Sequence, residues 1–238
     1  MSDGDLKIGF IKPGAGNTHY DEFAAMIPPG IDLEMVELGV LRTALTDFAG
    51  RADAILERAV TQTRESGWQG VIIPGAPVEV QNPGLRARLA EALDVPFTTA
   101  LGAGENALRA FGASRILLLT PFDAYMNSLV VPHLTAAGFD VQLADLGFNS
   151  EQEAVDLDSS VVFDMARGAV RAADGVQAIY FQGAVLNPLP VIDEMEAEFG
   201  LPIVASNPAM LWSVASQLGG TFSIVDKGRL VREWPALP

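Results

Sequence analysis

The feature that most limits what this 238-residue chain can fold into is a repeat of its own sequence at a nearly constant spacing. Ile8-Gly9-Phe10-Ile11-Lys12-Pro13 returns 108 residues later as Ile116-Leu117-Leu118-Leu119-Thr120-Pro121. Asp32-Leu33-Glu34-Met35-Val36-Glu37-Leu38-Gly39 returns at the same spacing as Asp140-Val141-Gln142-Leu143-Ala144-Asp145-Leu146-Gly147. Ile72-Ile73-Pro74-Gly75-Ala76 returns as Tyr180-Phe181-Gln182-Gly183-Ala184, and Val95-Pro96-Phe97 as Leu201-Pro202-Ile203 at a spacing of 106. Single apolar strands resemble one another by chance. Four segments in one order at one spacing do not, so the chain reads as an internal duplication. The expected units are an N-terminal half, 1–110, and a C-terminal half, 111–238.

Local patterning assigns the elements. Short apolar runs at 6–11, 70–73, 115–119 and 178–181, bounded by Gly, Pro or Thr, predict buried strands. Residues 44–66 predict one long helix, because Leu45, Phe48, Ala49, Ala52, Ile55, Leu56, Ala59 and Val60 recur at helical spacing. Further helices are expected at 84–93, 105–111, 124–137, 160–172, 189–199 and 208–218. Strands alternating with helices predict an α/β fold, each half a mainly parallel sheet flanked by helices. Such sheets bind ligands beyond the carboxyl ends of their strands, which places the expected site in a cleft between the halves.

Composition narrows the function. Hydrophobic residues make up 49% and charged residues 19%, which excludes a disordered chain. A net charge of −15 argues against nucleic acid or an anionic membrane surface as partner. No apolar stretch approaches the roughly 18 residues of a membrane span. There is no cysteine, hence no disulfide, thiolate metal site or thiol nucleophile. Only His19 and His133 could supply imidazole, so no His-rich metal site is expected. The acidic start leads straight into a strand, so no signal peptide and a cytoplasmic address are expected.

Candidate residues come from the strand ends. Pro13-Gly14-Ala15-Gly16-Asn17-Thr18-His19 follows the first strand. It has neither the G-x-G-x-x-G spacing nor the G-K-[ST] ending of a phosphate loop, and reads as a turn whose amides and Asn17 can meet a carboxylate. Lys12 ends the first strand and reads either as a snorkelling surface lysine or as a cation facing the cleft. The loops Pro74-Gly75-Ala76-Pro77 and Gln182-Gly183-Ala184-Val185 carry glycines that let a ligand approach the backbone, or that simply make a tight turn. Thr120-Pro121-Phe122-Asp123-Ala124-Tyr125-Met126-Asn127 repeats the first loop, with Asp123 expected as an N-cap. His133 has no evident partner and is expected to be exposed or half-buried.

These residues resemble the aspartate/glutamate racemase superfamily, in its maleate isomerase and arylmalonate decarboxylase branch. The resemblance runs from about residue 6 to 220. It rests on Pro96-Phe97-Thr98-Thr99-Ala100 with Asn106-Ala107-Leu108, on Thr120-Pro121-Phe122 with Asn127, and on Ser206-Asn207-Pro208-Ala209. It implies two pseudo-symmetric Rossmann-like halves with the site between them, and cofactor-free acid–base or nucleophilic chemistry on a small carboxylate or dicarboxylate. Homo-oligomer formation is left open. The superfamily generally places a cysteine at the end of the third strand of each half, and some decarboxylases keep only the second. Here those positions fall on Pro74 or Gly75 and on Gln182, whose amide is no general base. The decarboxylase hydroxyls fall near Gly75-Ala76-Pro77 and on Phe122. Asn17 and Asn149 fall near asparagines that hold a carboxylate, and Gly183 remains as a backbone donor.

The reading is therefore a lyase or isomerase that cannot use cysteine. Its candidate catalytic residues are Gln182, Lys12 and Tyr125; its candidate binding residues are Asn17, Gly75, Ala76, Phe122, Asn149 and Gly183. Two alternatives stand beside it: a relative that binds a carboxylate without turnover, and an enzyme using Lys12, Glu79, His19 or Tyr125 as acid or base.

Overall fold

A computed structural model describes residues 5–14, 20–40 and 44–238. The first part of the chain runs β1 (Leu6–Lys12), α1 (Asp21–Ala25), β2 (Ile31–Glu37), α2 (Ala52–Ser66), β3 (Gly70–Ile73), α3 (Ala76–Val80), α4 (Leu85–Ala92), β4 (Phe97–Thr99) and α5 (Ala100–Ala110). The second part runs β5 (Arg115–Leu119), α6 (Ala124–Ala136), β6 (Asp140–Leu143), α7 (Ser159–Ala172), β7 (Ala178–Phe181), α8 (Ile192–Phe199), β8 (Ile203–Ala205), α9 (Ser206–Gln217) and α10 (Arg229–Glu233).

Two four-stranded parallel sheets result, ordered β2-β1-β3-β4 and β6-β5-β7-β8. Their registers correspond residue by residue. Ile8 pairs with Leu33 and with Gly70, and Ile116, 108 residues on, pairs with Val141 and with Ala178. Val71 pairs with Phe97, and Ile179 pairs with Ile203. The inner strands β3 and β7 are buried throughout, which is why they read as unbroken apolar runs. Strands β2 and β6 lie at the sheet edges and are half-exposed, so they carry Asp32, Glu34 and Gln142 without cost.

Three apolar layers hold these sheets. The central one lies between them, where α5 and α9 pack side by side, and contains Phe10, Ile72, Leu108, Leu118, Tyr180 and Trp212. The two outer layers lie under α2 and α4 on one sheet and under α7 and α8 on the other. The helix expected over 44–66 is divided. A 3₁₀ turn at Leu45–Phe48 ends at Ala49, whose extended ψ of 125° stops propagation, and Gly50 reverses the chain at φ +68° before α2 begins.

A buried ion cluster joins elements from both sheets. Arg86 of α4 donates from Nε to Glu79 of α3 at 2.6 Å and from Nη2 to Glu105 of α5 at 2.8 Å. His133 of α6 lies 3.1 Å from Glu105 and is half-buried, so the histidine expected to lack a partner has one from a distant part of the chain. Burial pushes the Glu105 carboxyl up, but hydrogen bonds from His133 and Arg86 and the charge of Arg86 outweigh it and hold the group at about 2.

Candidate functional site

The carboxyl ends of β1, β3, β5, β7 and β8 converge on a cavity of about 200 Å³. The strand ends supply its walls in order: Pro13 and Gly14 after β1, Pro74 to Pro77 after β3, Pro121 and Phe122 after β5, Gln182 to Val185 after β7, and Ser206 and Asn207 after β8. This is the position at which open parallel sheets bind ligands. Tyr20, Leu45, Glu151, Gln152 and Met210 complete it.

Two glycine turns face each other across the cavity. Gly75 has φ +94° and Gly183 φ +119°, backbone conformations that residues with a Cβ rarely adopt. A Cβ on Gly75 would lie 3.2 Å from the Pro13 ring, and one on Gly183 would lie 2.6 Å from the Pro121 ring. Each proline thus seats on the glycine of the neighbouring strand end, in the same way on both sides.

Gln182 is 1% exposed and its orientation is fixed from behind. The Tyr180 hydroxyl donates to Gln182 Oε1 at 2.5 Å and lies 3.2 Å from the Ala100 carbonyl. Complete burial, reinforced by the charges of Glu105 and Glu79, pushes the Tyr180 phenol far above its ordinary value, so the hydroxyl keeps its proton and stays a donor. With Oε1 occupied, the Gln182 Nε2 hydrogens have no partner among the described residues and are left for the cavity.

Asn207 sits in the first turn of α9 and is 7% exposed. Its Oδ1 is sealed from solvent without a hydrogen-bond partner. An unsatisfied buried amide oxygen costs about 1–3 kcal/mol, so its presence against a cavity asks for an explanation. Among the described lining residues there is no Lys, Arg or His, and Glu151 is the one carboxylate. Burial pushes the phenol of Tyr20 above its ordinary value, which keeps that lining group neutral.

The residues singled out in the sequence separate into three groups. Gln182, Gly75, Ala76, Phe122 and Gly183 line the cavity together. Lys12, Tyr125 and Asn149 are not among its lining residues. Lys12 is buried at the end of β1. Tyr125 is 54% exposed and borders a neighbouring depression beyond Leu45 and Glu151. Asn149 is exposed, and its amides turn to Glu153 at 3.3 and 3.5 Å. Asn17 and His19 lie outside the described residues. Glu79 is committed to the Arg86 cluster, and Asp123 is the N-cap of α6, accepting from Met126 N at 2.8 Å.

Sequence reasoning passed over Tyr20 and Glu151, and took Ser206 and Asn207 as part of the family resemblance without assigning them to the site. A signal for Asn207 was present. The position 106 residues earlier is Leu101, so a polar side chain stands where the other repeat keeps an apolar one.

Comparison with known proteins agrees with this geometry. The sequence profile of the arylmalonate decarboxylase family matches residues 8–231. The chain is 27% identical to arylmalonate decarboxylase of Bordetella bronchiseptica, over 90% of each chain. It is 24% identical to maleate isomerase of Nocardia farcinica, over 97% of each. A crystal structure of arylmalonate decarboxylase superposes with a TM-score of 0.79 at 26% identity, covering 95% of this chain and 99% of that one.

Proposed function

Since the chain belongs to the arylmalonate decarboxylase family, we propose that its cleft takes a small carboxylate and that the chain is a cofactor-independent lyase or isomerase working without a thiol. The observation that carries this reading is the cavity at the strand ends, where the Gly75 and Gly183 turns, Gln182 Nε2 and the first turn of α9 converge as neutral hydrogen-bond donors. Decarboxylation or proton removal beside a carboxylate leaves an electron pair that must be held as an enediolate. Donors fixed in place before the reaction are what such a charge needs. Gln182 serves in this reading as a donor and not as a base, because an amide nitrogen has no usable basic lone pair. Glu151 is the carboxylate against the cavity among the described residues, and the reading gives it the proton transfer.

A second reading, binding without turnover, is favoured by one observation: an amide stands at the end of β7, where the relatives' resemblance places a thiol. Proton NMR in D₂O with phenylmalonate and with maleate separates the two. Loss of carbon dioxide, or formation of fumarate, that survives iodoacetamide and falls at least about tenfold in Glu151→Gln supports the enzyme reading. Calorimetric binding of either acid without conversion supports the binder. Neither binding nor conversion removes both.

A further inference from the structure

Three residues around the end of β7 form a set that the other half does not repeat. Tyr180 of β7, Gln182 just after it and Gly104 of α5 have Ile72, Pro74 and Met210 as their counterparts. Tyr180 is fully buried in the central layer and reaches across it to α5. Gly104 makes the room for it. A Cβ there would lie 2.0 Å from the Tyr180 hydroxyl oxygen and 2.3 Å from Cζ, so no side chain fits beside that phenol. A glycine inside a helix is destabilising relative to alanine, and a buried hydroxyl is costly unless it is bonded. Ile72 and Met210 fill the same layer with neither cost.

What the hydroxyl does there concerns the next residue but one. A glutamine amide can turn either end to a cavity, its oxygen or its NH₂. Tyr180 Oη lies 2.5 Å from Gln182 Oε1 and 3.2 Å from the Ala100 carbonyl. The shorter contact is within the range of an O–H···O bond and below the roughly 2.7 Å at which N–H···O bonds begin, so the hydroxyl donates to the amide oxygen. We propose that Tyr180, in the space left by Gly104, is a positioning residue of the cleft: it fixes the Gln182 amide with its NH₂ toward the cavity, so that this strand end acts on a bound molecule as a donor only. The proposal rests on the reading that the cleft takes and converts a small carboxylate, and adds how one of its donors is set before the reaction. A donor held from behind does not have to reorient as charge develops. The hold is constant near neutral pH, because the buried phenol keeps its proton.

Neutron diffraction from crystals of the unliganded chain grown in D₂O reads the amide directly. Two deuterons on the cavity end of Gln182, and one between Tyr180 Oη and Oε1, are expected. The reverse arrangement overturns the proposal whatever the cleft binds. The consequence for function is read in a double-mutant cycle on phenylmalonate and maleate turnover. Tyr180→Phe removes one oxygen and keeps the ring. It should lower kcat about tenfold with KM little changed, because the lost donor serves the charge that develops in the reaction. Gln182→Met should lower kcat at least as much, and Tyr180→Phe should cost nothing further in that background. A merely structural role for Tyr180 would lower both backgrounds alike. Tyr180→Ile with Gly104→Met, the pair found in the first half, should match Tyr180→Phe, and thermal melting shows which variants keep the fold. Parental kcat in folded Tyr180→Phe, or an equal loss in both backgrounds, overturns the proposal and leaves the carboxylate reading standing. If the acids bind without conversion, the same cycle is read in calorimetric Kd with the same expectations. Binding of neither acid overturns the carboxylate reading, and the neutron map then decides how Gln182 is held.

Discussion

The two halves share a backbone plan and differ in what they do with it. Strand order and pairing register repeat, and the glycine-on-proline contact recurs as Gly75 on Pro13 and Gly183 on Pro121. Side chains diverge wherever the backbone does not dictate them. Pro74 follows β3 where Gln182 follows β7, and Leu101 stands in α5 where α9 carries Asn207. A duplicated fold can therefore keep a symmetric frame while its single site becomes directional, because main-chain pairing constrains positions and leaves the cavity-facing residues free to change. The same divergence runs through the outer layers, the ion cluster and the helix caps. There it can be broken on purpose.

The largest effect is expected where the halves fill the same space differently. The Trp68 ring lies flat on Gly9, so close that a Cβ at that position would sit 2.0 Å from a ring carbon. The indole cannot step aside, being buried and tied through Nε1 to Glu34 Oε2 at 2.8 Å. In the second half the related positions are Leu117 and Val176, both in the outer apolar layer. Gly9→Leu alone should cost more than about 4 kcal/mol in urea denaturation, the range reached only by severe overpacking. Gly9→Leu with Trp68→Val, which transplants the other half's solution, should recover much of it, because the two sites are in contact and their effects are not additive. A single variant as stable as the parent would show that the two packings are not alternatives.

The ion cluster is the next difference. Glu105 has Leu211 as its counterpart, fully buried in α9, so one half uses apolar packing where the other uses charge. The Glu105 carboxyl is held at about 2 in the fold, against its ordinary value of 4.5. The folded form thus gains stability that is complete above pH 4.5 and is lost as pH falls toward 2, on the order of 2–3 kcal/mol. Glu105→Gln should flatten the acid limb of a stability–pH profile over that window. It should also lower neutral-pH stability, because Arg86 and His133 lose a charge they share. An unchanged acid limb would show that the cluster contributes nothing to acid stability.

How much of this was legible depended on the range of the interaction. The buried strands announced themselves as apolar runs, and the repeat pointed to the segments that became β2 and β6, whose edge positions dilute the apolar signal with charge. The Ala49–Gly50 break was hidden inside a helical periodicity that continued through it. Within the cavity, Gln182, Gly75 and Gly183 could be read because they directly follow central strands. Asn207 could not be read that way, since it lies inside a helix, and its marks are the Ser206-Asn207-Pro208-Ala209 stretch and the contrast with Leu101. The partners of His133 come from α4 and α5, well away in the chain, and no local pattern carries a contact of that kind.

The smallest expected difference lies at the starts of α5 and α9. Thr99 caps α5, its Oγ1 accepting from Gly102 N at 3.1 Å. The related residue, Ala205, has no oxygen to offer, and α9 has no side-chain cap. The reason is visible three residues on, where Pro208 stands in place of Gly102 and has no N–H to satisfy. Cap and donor were lost together, so the bare start of α9 leaves nothing unpaired at that position. Thr99→Ala should therefore cost about 1 kcal/mol, the usual penalty for removing a capping hydroxyl. Ala205→Ser should return nothing comparable, because the hydroxyl it adds meets a proline ring nitrogen. Urea midpoints at constant m-value measure both changes. A gain of about 1 kcal/mol in Ala205→Ser would mean that another amide of the α9 first turn, such as that of Asn207, is waiting for an acceptor.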